Sequence, residues 1–249
     1  MWDTAFALGF ALTLARASGL FVAAPVLAGA SVPVRIRMSL AFAIAVAGFI
    51  FAGMPRVEFS GTIVLISLIS EALLSIIVGF TAKIAIDSAV AAGDIIGVSM
   101  GMGFSNIVDP TTAQNSSTIS VLLSMTALGF GVALGLHRDA VVWFCRSVQE
   151  FPPGQMNGIL DVMRFAVVEG IRACTVAVRL ALPVLATVTV GHIVLGLVGR
   201  FAQQLNLNSL GFSIAIIAGI ASLYIAVPII GEMAARSAEQ VFATFMGGA

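Results

Sequence analysis

Three ionisable residues, Lys83, Asp87 and Asp94, stand at spacings of four and seven inside an otherwise apolar stretch. On a helix those spacings put all three on one face. Lys83 and Asp87 then come within pairing reach, which lowers the cost of each charge in an apolar setting. Glu71 falls about 120° round the same helix from Lys83 and needs another partner, for which Arg16, Arg179 and Arg200 are candidates. Charges placed this way do one of two things: they relay ions or protons, or they form fixed pairs between helices or subunits. No series of carboxylates runs along several apolar segments, which favours fixed pairs.

Other groups capable of chemistry are sparse. Cys145 and Cys174 lie far apart, make neither a CxxC nor a metal-ligand spacing, and read as two small buried apolar residues. His137 and His192 sit on different segments, outside any HExxH. His137, beside Arg138 and Asp139, reads as interfacial, and His192 as a packed, hydrogen-bonded histidine. There is no GxSxG and no P-loop. Gly101-Met102-Gly103 follows no strand of a βαβ unit, so it is not a dinucleotide fingerprint. No catalytic residue, metal ligand or cofactor is expected.

The most unusual stretch is residues 97–124, GVSMGMGFSNIVDPTTAQNSSTISVLLS. It opens with glycines and soft apolar side chains: Gly97, Met100, Gly101, Met102, Gly103 and Phe104. Ser105 and Asn106 follow, then a turn signal at Asp109-Pro110, then an uncharged run that includes Gln114 and Asn115. Such a run can hydrogen-bond without holding an ion. It reads as a break in the apolar pattern that lines or closes a passage.

The elements that position these residues are set by composition. Of 249 residues, 59% are hydrophobic and 10% charged, against about 25% charged in soluble domains. A soluble fold of this make-up could not cover its surface, so the chain is expected in a membrane or a membrane-embedded complex. Twelve basic residues, eleven of them arginine, balance twelve acidic ones, leaving no basic patch for nucleic acid. At the N-terminus, Asp3 stands where a secretion signal carries positive charge and Arg16 interrupts the apolar run. That stretch therefore reads as retained structure rather than a cleaved signal.

Taking about 20 apolar residues per membrane-spanning helix, the chain resolves into six or seven apolar segments. Residues 5–30 hold Arg16 and Pro25 and read as a hairpin or broken helix. A polar corner with Arg35 and Arg37 follows and would face the cytoplasm. Further apolar runs occupy residues 38–54, 62–82, 83–102 and 119–136. Residues 140–172 read as two amphipathic helices about a Pro-Pro-Gly turn. The last two runs, 173–199 and 209–231, carry Pro183 and Pro228. Small residues recur every fourth position in three stripes: Ala89, Gly93, Gly97, Gly101; Ala127, Gly131, Gly135; and Gly211, Ala215, Gly219. Such stripes let helix backbones approach closely. No linker divides the chain, so residues 1–249 are expected to form one membrane domain.

Five segments, in order, resemble the FliR family of flagellar export-gate proteins and their virulence-secretion counterparts. RASGLFVAAPVLAGASVPVRIRMSL is similar to the family's arginine, Ala-Pro turn and Pro-x-Arg-x-Arg corner on Arg16, Pro25, Pro33, Arg35 and Arg37. EALLSIIVGF, beginning at Glu71, resembles its Glu followed by Gly-Phe. AGDIIGVSMGMGFSNIVDP, ending at Pro110, is the most specific match. Gly135-Leu136-His137 and RFAQQLNLNSLG, beginning at Arg200, complete the set, with Gln203 where the family usually has proline.

The resemblance implies an all-α integral membrane protein whose helical hairpins pack into a multi-subunit export gate. FliP-like and FliQ-like subunits would surround it, and FlhA-like and FlhB-like components would be neighbours. The gate would sit in the bacterial inner membrane at the flagellar basal body, where unfolded flagellar subunits pass through it. The resemblance also implies that residues 97–124 include a plug loop. It further implies that apolar segments face partner subunits more than lipid. Two alternatives stand beside this reading. One is the equivalent subunit of a virulence system. The other is an ion or small-molecule secondary transporter, suggested by the buried charges and proline breaks but lacking the repeated halves of such folds.

Overall fold

The computed structural model describes residues 4–27, 33–57, 62–102, 117–154, 159–201 and 207–247, without the side chains of 62, 199–201, 207–212 and 247. All seven elements among them are α-helices: α1 (Thr4–Ala23), α2 (Val34–Phe51), α3 (Thr62–Ser99), α4 (Thr118–Leu134), α5 (Leu136–Glu150), α6 (Ile159–Phe201) and α7 (Leu207–Gly247). A helix satisfies its own backbone polar groups, which an apolar surrounding requires. Five of these helices are long and apolar enough to cross a membrane, or six if α4 and α5 count as one broken span.

The breaks fall where backbone chemistry, rather than charge, demands them. Among its described residues the first apolar region is a single helix: α1 runs unbroken through Arg16 and ends before Pro25, because Arg16 is partnered inside the protein. The runs at 62–82 and 83–102 fuse into the 38-residue α3, since lysine is a good helix former and Lys83 interrupts nothing. Likewise the second amphipathic helix of 140–172 and the next run join in the 43-residue α6. Pro183 removes one donor from that helix. Its own carbonyl accepts from the Thr187 hydroxyl at 3.0 Å. At 1.5 Å per residue, α3, α6 and α7 each extend about 57 Å or more, roughly twice the thickness of a bilayer's hydrocarbon core.

Two compact units emerge, each assembled from separated stretches. The first comprises Met1–Ala85, Gly131–Ile171 and Ala235–Ala249. In it α1 and α2 pair through edge-on rings, Phe6 with Phe49 at 5.1 Å and Phe10 with Phe42 at 5.8 Å. The Phe144 ring of α5 fits against the bare face of Gly48 on α2. Gly135 starts α5 with φ of +88°, a left-handed conformation that a side chain would strain. Phe165 and Phe245 close the end formed by α6 and α7, at 4.6 Å.

The second unit comprises Ile86–Phe130 and Arg172–Ala234. Its core is dominated by small side chains: Ala89, Ala92, Ala127, Ala181 and Ala215 are buried together with Ile96, Leu123 and Val184. Small residues at helix contacts are what apolar surroundings favour, because close backbone approach replaces hydrophobic segregation.

Much apolar surface is left bare. Only 17% of the most apolar α6 window is buried within the chain, and Val167, Ile171, Val178, Leu182, Ile193 and Leu197 all point outward. His192 lies on that exposed helix and is not packed within this chain. Nor are the cysteines fully buried: Cys145 is half-buried and Cys174 exposed.

Candidate functional site

Two groups of the sequence-selected residues are brought into defined geometry, one in each unit. In the first unit Arg16 and Glu71 meet. Both are almost wholly buried, at 1% and 3% exposure. The Arg16 Nη2 and Nε both lie 2.6 Å from Glu71 Oε2. Arg16 Nη1 donates to the carbonyls of Ser147 at 2.7 Å and Phe151 at 3.1 Å. These carbonyls belong to the C-terminal end of α5, where the Ser147 carbonyl also accepts from the Phe151 N–H at 3.1 Å and where a cation is favoured by the helix dipole. Glu71 uses its other oxygen to accept from the Gly154 N–H at 2.7 Å. One ion pair thus ties α1, α3, the end of α5 and the Pro-Pro-Gly turn.

The charges are held from every side. Both Glu71 oxygens are occupied, and no buried side-chain nitrogen or oxygen among the described residues lacks a partner. A cavity of about 380 Å³ adjoins Arg16, walled by Trp143, Phe165 and Phe245 and edged by Arg146, Glu150 and Asp161. Of the three arginines offered as partners for Glu71, Arg16 is the one it meets. The Arg200 side chain lies outside the described residues.

The second group flanks the polar stretch. Phe104, Ser105, Asn106, Asp109, Pro110, Gln114 and Asn115 lie outside the described residues; the two ends that carry them do not. At the downstream end Ser117 caps α4: its Oγ accepts from the Ser120 N–H at 3.1 Å, as an N-cap serine does. The Ser117 N–H donates to Asp94 Oδ1 at 3.4 Å and its hydroxyl to the Gly93 carbonyl at 3.4 Å. Asp94 is half-buried on α3, beside a helix N-terminus, where negative charge is stabilising. Contact this close requires bare glycine: a β-carbon on Gly93 would lie 2.5 Å from the Ser120 Cα, and one on Gly97 3.0 Å from Ser117 Oγ.

At the upstream end Gly101 adopts φ of +80°. The Gly101 N–H donates to the Val98 carbonyl at 3.0 Å and the Met102 N–H to the Gly97 carbonyl at 2.9 Å, the bonding that ends a helix on a left-handed residue. Gly101 therefore closes α3 and belongs to no packing stripe. Met100 is buried and Met102 exposed. Elsewhere Lys83 is exposed, Asp87 half-buried and Gly131 buried, and Gly135 bends the chain between α4 and α5.

Sequence reasoning did not find Ser147, Phe151 and Gly154, which act through backbone atoms, or the capping role of Ser117. The Ser-x-x-Ser spacing from Ser117 to Ser120 offered only a weak capping signal. Among the described residues no three His, Cys, Asp or Glu side chains gather as a metal site.

The sequence model of the family described as bacterial export proteins, family 1, matches residues 7–241. The chain belongs to that family. Flagellar biosynthetic protein FliR of Escherichia coli (strain K12) is 27% identical over 235 residues, covering 92% of this chain and 88% of that protein. The protein of the same name from Bacillus subtilis (strain 168) is 27% identical over 225 residues, covering 89% and 86%. The one from Caulobacter vibrioides is 26% identical over 222 residues, covering 86% of each. The stretch matched to the export family takes in both the Arg16–Glu71 pair and the whole of residues 97–124. This member of the export family is a membrane-embedded helical protein whose defined polar groups are few and closely held.

Proposed function

We propose that the chain is a subunit of the flagellar type III protein export gate in the bacterial inner membrane. Together with FliP-like and FliQ-like subunits it helps form the channel for unfolded flagellar subunits, with FlhA-like and FlhB-like components beside it. The observation that carries this reading is the near full-length match to bacterial export proteins, in which the similar proteins bear the name of a flagellar biosynthetic protein. Two features support it. The outward apolar face of α6 is suited to burial against partner subunits or lipid. The closely held charges suit fixed structure better than an ion relay, since both oxygens of Glu71 are already engaged.

In this reading residues 97–124 carry the plug. The ends at Gly101 and Ser117 are anchored, and the uncharged run between them contacts a passing chain without binding it. The test is co-expression with FliP-like and FliQ-like proteins, followed by purification in mild detergent. A stable multi-subunit membrane complex is expected, and a chain that never joins one ends the proposal. Deleting residues 106–117 is expected to leave that complex assembled while the membrane leaks small ions. A deletion variant as tight as the native gate would remove the plug from the proposal.

A further inference from the structure

Met100 stands near the upstream end of residues 97–124. It follows the last residue of α3 and is 1% exposed. Its Cγ, Sδ and Cε lie 2.8, 2.7 and 2.6 Å from the point where a β-carbon on Gly219 would stand. The thioether therefore lies lengthwise over α7, at a position where α7 has no side chain. Ala215, one turn earlier on α7, is buried as well. Met100 is followed directly by Gly101, whose left-handed turn closes α3 and starts the polar stretch. Whatever fixes Met100 fixes the point at which that stretch leaves the helix.

We propose that Met100 and Gly219 form a latch that positions the upstream end of the gate stretch; Met100 is a positioning residue and touches no cargo. This rests on the export-gate reading above. The residue types fit the task. Methionine is unbranched and deformable, so it can lie flat in a shallow groove. Glycine alone leaves that groove open, because a single methyl group at position 219 would overlap three consecutive atoms of the methionine side chain. That overlap is with a flexible side chain, so an alanine there displaces Met100 and leaves the helices in place. The two ends of the stretch thus differ: Ser117 is held by hydrogen bonds to Asp94 and Gly93, and Met100 by shape.

The test uses the complete complex with its FliP-like and FliQ-like partners in membrane vesicles, and reads small-ion leak per assembled complex. Gly219→Ala and Met100→Ala are each expected to raise that leak about tenfold, the scale of coupling between residues in contact. Met100→Leu, which conserves volume, stays near the native value. The double variant Met100→Ala/Gly219→Ala returns toward native tightness, because the new methyl group occupies space the methionine left. A contact that only stabilises the fold would lower the amount of complex and leave the leak per complex unchanged, and that result overturns the latch. An additive double variant overturns it too. Should Met100→Ala fail to assemble, Met100→Val makes the same comparison with a smaller loss of volume. Deletion of residues 106–117 serves as the reference. If the deletion leaks while the latch variants stay tight, only the latch falls; if the deletion is itself tight, the plug reading and the latch fall together.

Discussion

At Arg16 two opposite charges lie 2.6 Å apart with both side chains almost wholly buried. At the end of α3 the contacts are a thioether over a bare glycine, a serine hydroxyl on a backbone carbonyl, and one carboxylate reached by one N–H. Both arrangements fix helix termini: the end of α5 in one case, the end of α3 and the start of α4 in the other. The ion pair does so at high stakes, because losing either partner strands the other in an apolar interior. The contacts at α3, of which only the one to Asp94 involves a charge, can rearrange at a smaller penalty, since each is worth about 1–3 kcal/mol. A protein that must hold some helices permanently and let another segment shift would place its charge and its soft contacts in this way.

The comparison can be broken most forcefully at Arg16. Arg16→Ala strands Glu71, and the expected loss is about 3 kcal/mol, the lower part of the range for breaking a buried pair, because the adjoining cavity can bring water to the carboxylate. Denaturant or thermal unfolding of the purified complex measures it. The double replacement Arg16→Met/Glu71→Leu is expected to recover most of that loss. If the single variant is as stable as the native protein, the node is not what holds α5.

A smaller effect is expected at Gly93. Gly93→Ala sets a methyl group against the Ser120 backbone, which cannot rotate aside as a side chain can, and costs about 1–3 kcal/mol. The same measurement checks it. A neutral outcome would mean that α3 and α4 are as adaptable as Met100 on Gly219. The smallest effect belongs to Ser117. Ser117→Ala removes the α4 cap and is expected to cost about 1 kcal/mol, visible as faster hydrogen exchange confined to the first turn of α4. Exchange that quickens throughout α4 would move Ser117 from local cap to general support.

The helices were legible in the sequence because apolar length is a strong local signal and no charge in it is a helix breaker. Where local pattern misleads, tertiary structure supplies what it lacks. Arg16 reads as an interruption in α1 because its partners are distant: Glu71 lies 55 residues away, and the carbonyls of Ser147 and Phe151 lie more than a hundred residues away. Lys83 looked like a boundary, yet an exposed lysine is no obstacle to a helix. Gly101 looked like part of a packing stripe, but backbone conformation, which residue type alone does not reveal, assigns it to the turn. Gly219 was read as a small residue suited to close packing; that its neighbour is Met100 follows only from the fold.

Where partner subunits rather than lipid cover the bare flank of α6, that flank limits how long an unassembled copy of this chain survives. A copy synthesised without whatever covers that flank displays a long apolar strip, and such strips are prone to aggregation and draw proteases. On that footing the quantity of this protein in a cell is expected to follow the number of sites available to receive it rather than the rate of synthesis. Overproducing it alone should yield turnover rather than accumulation.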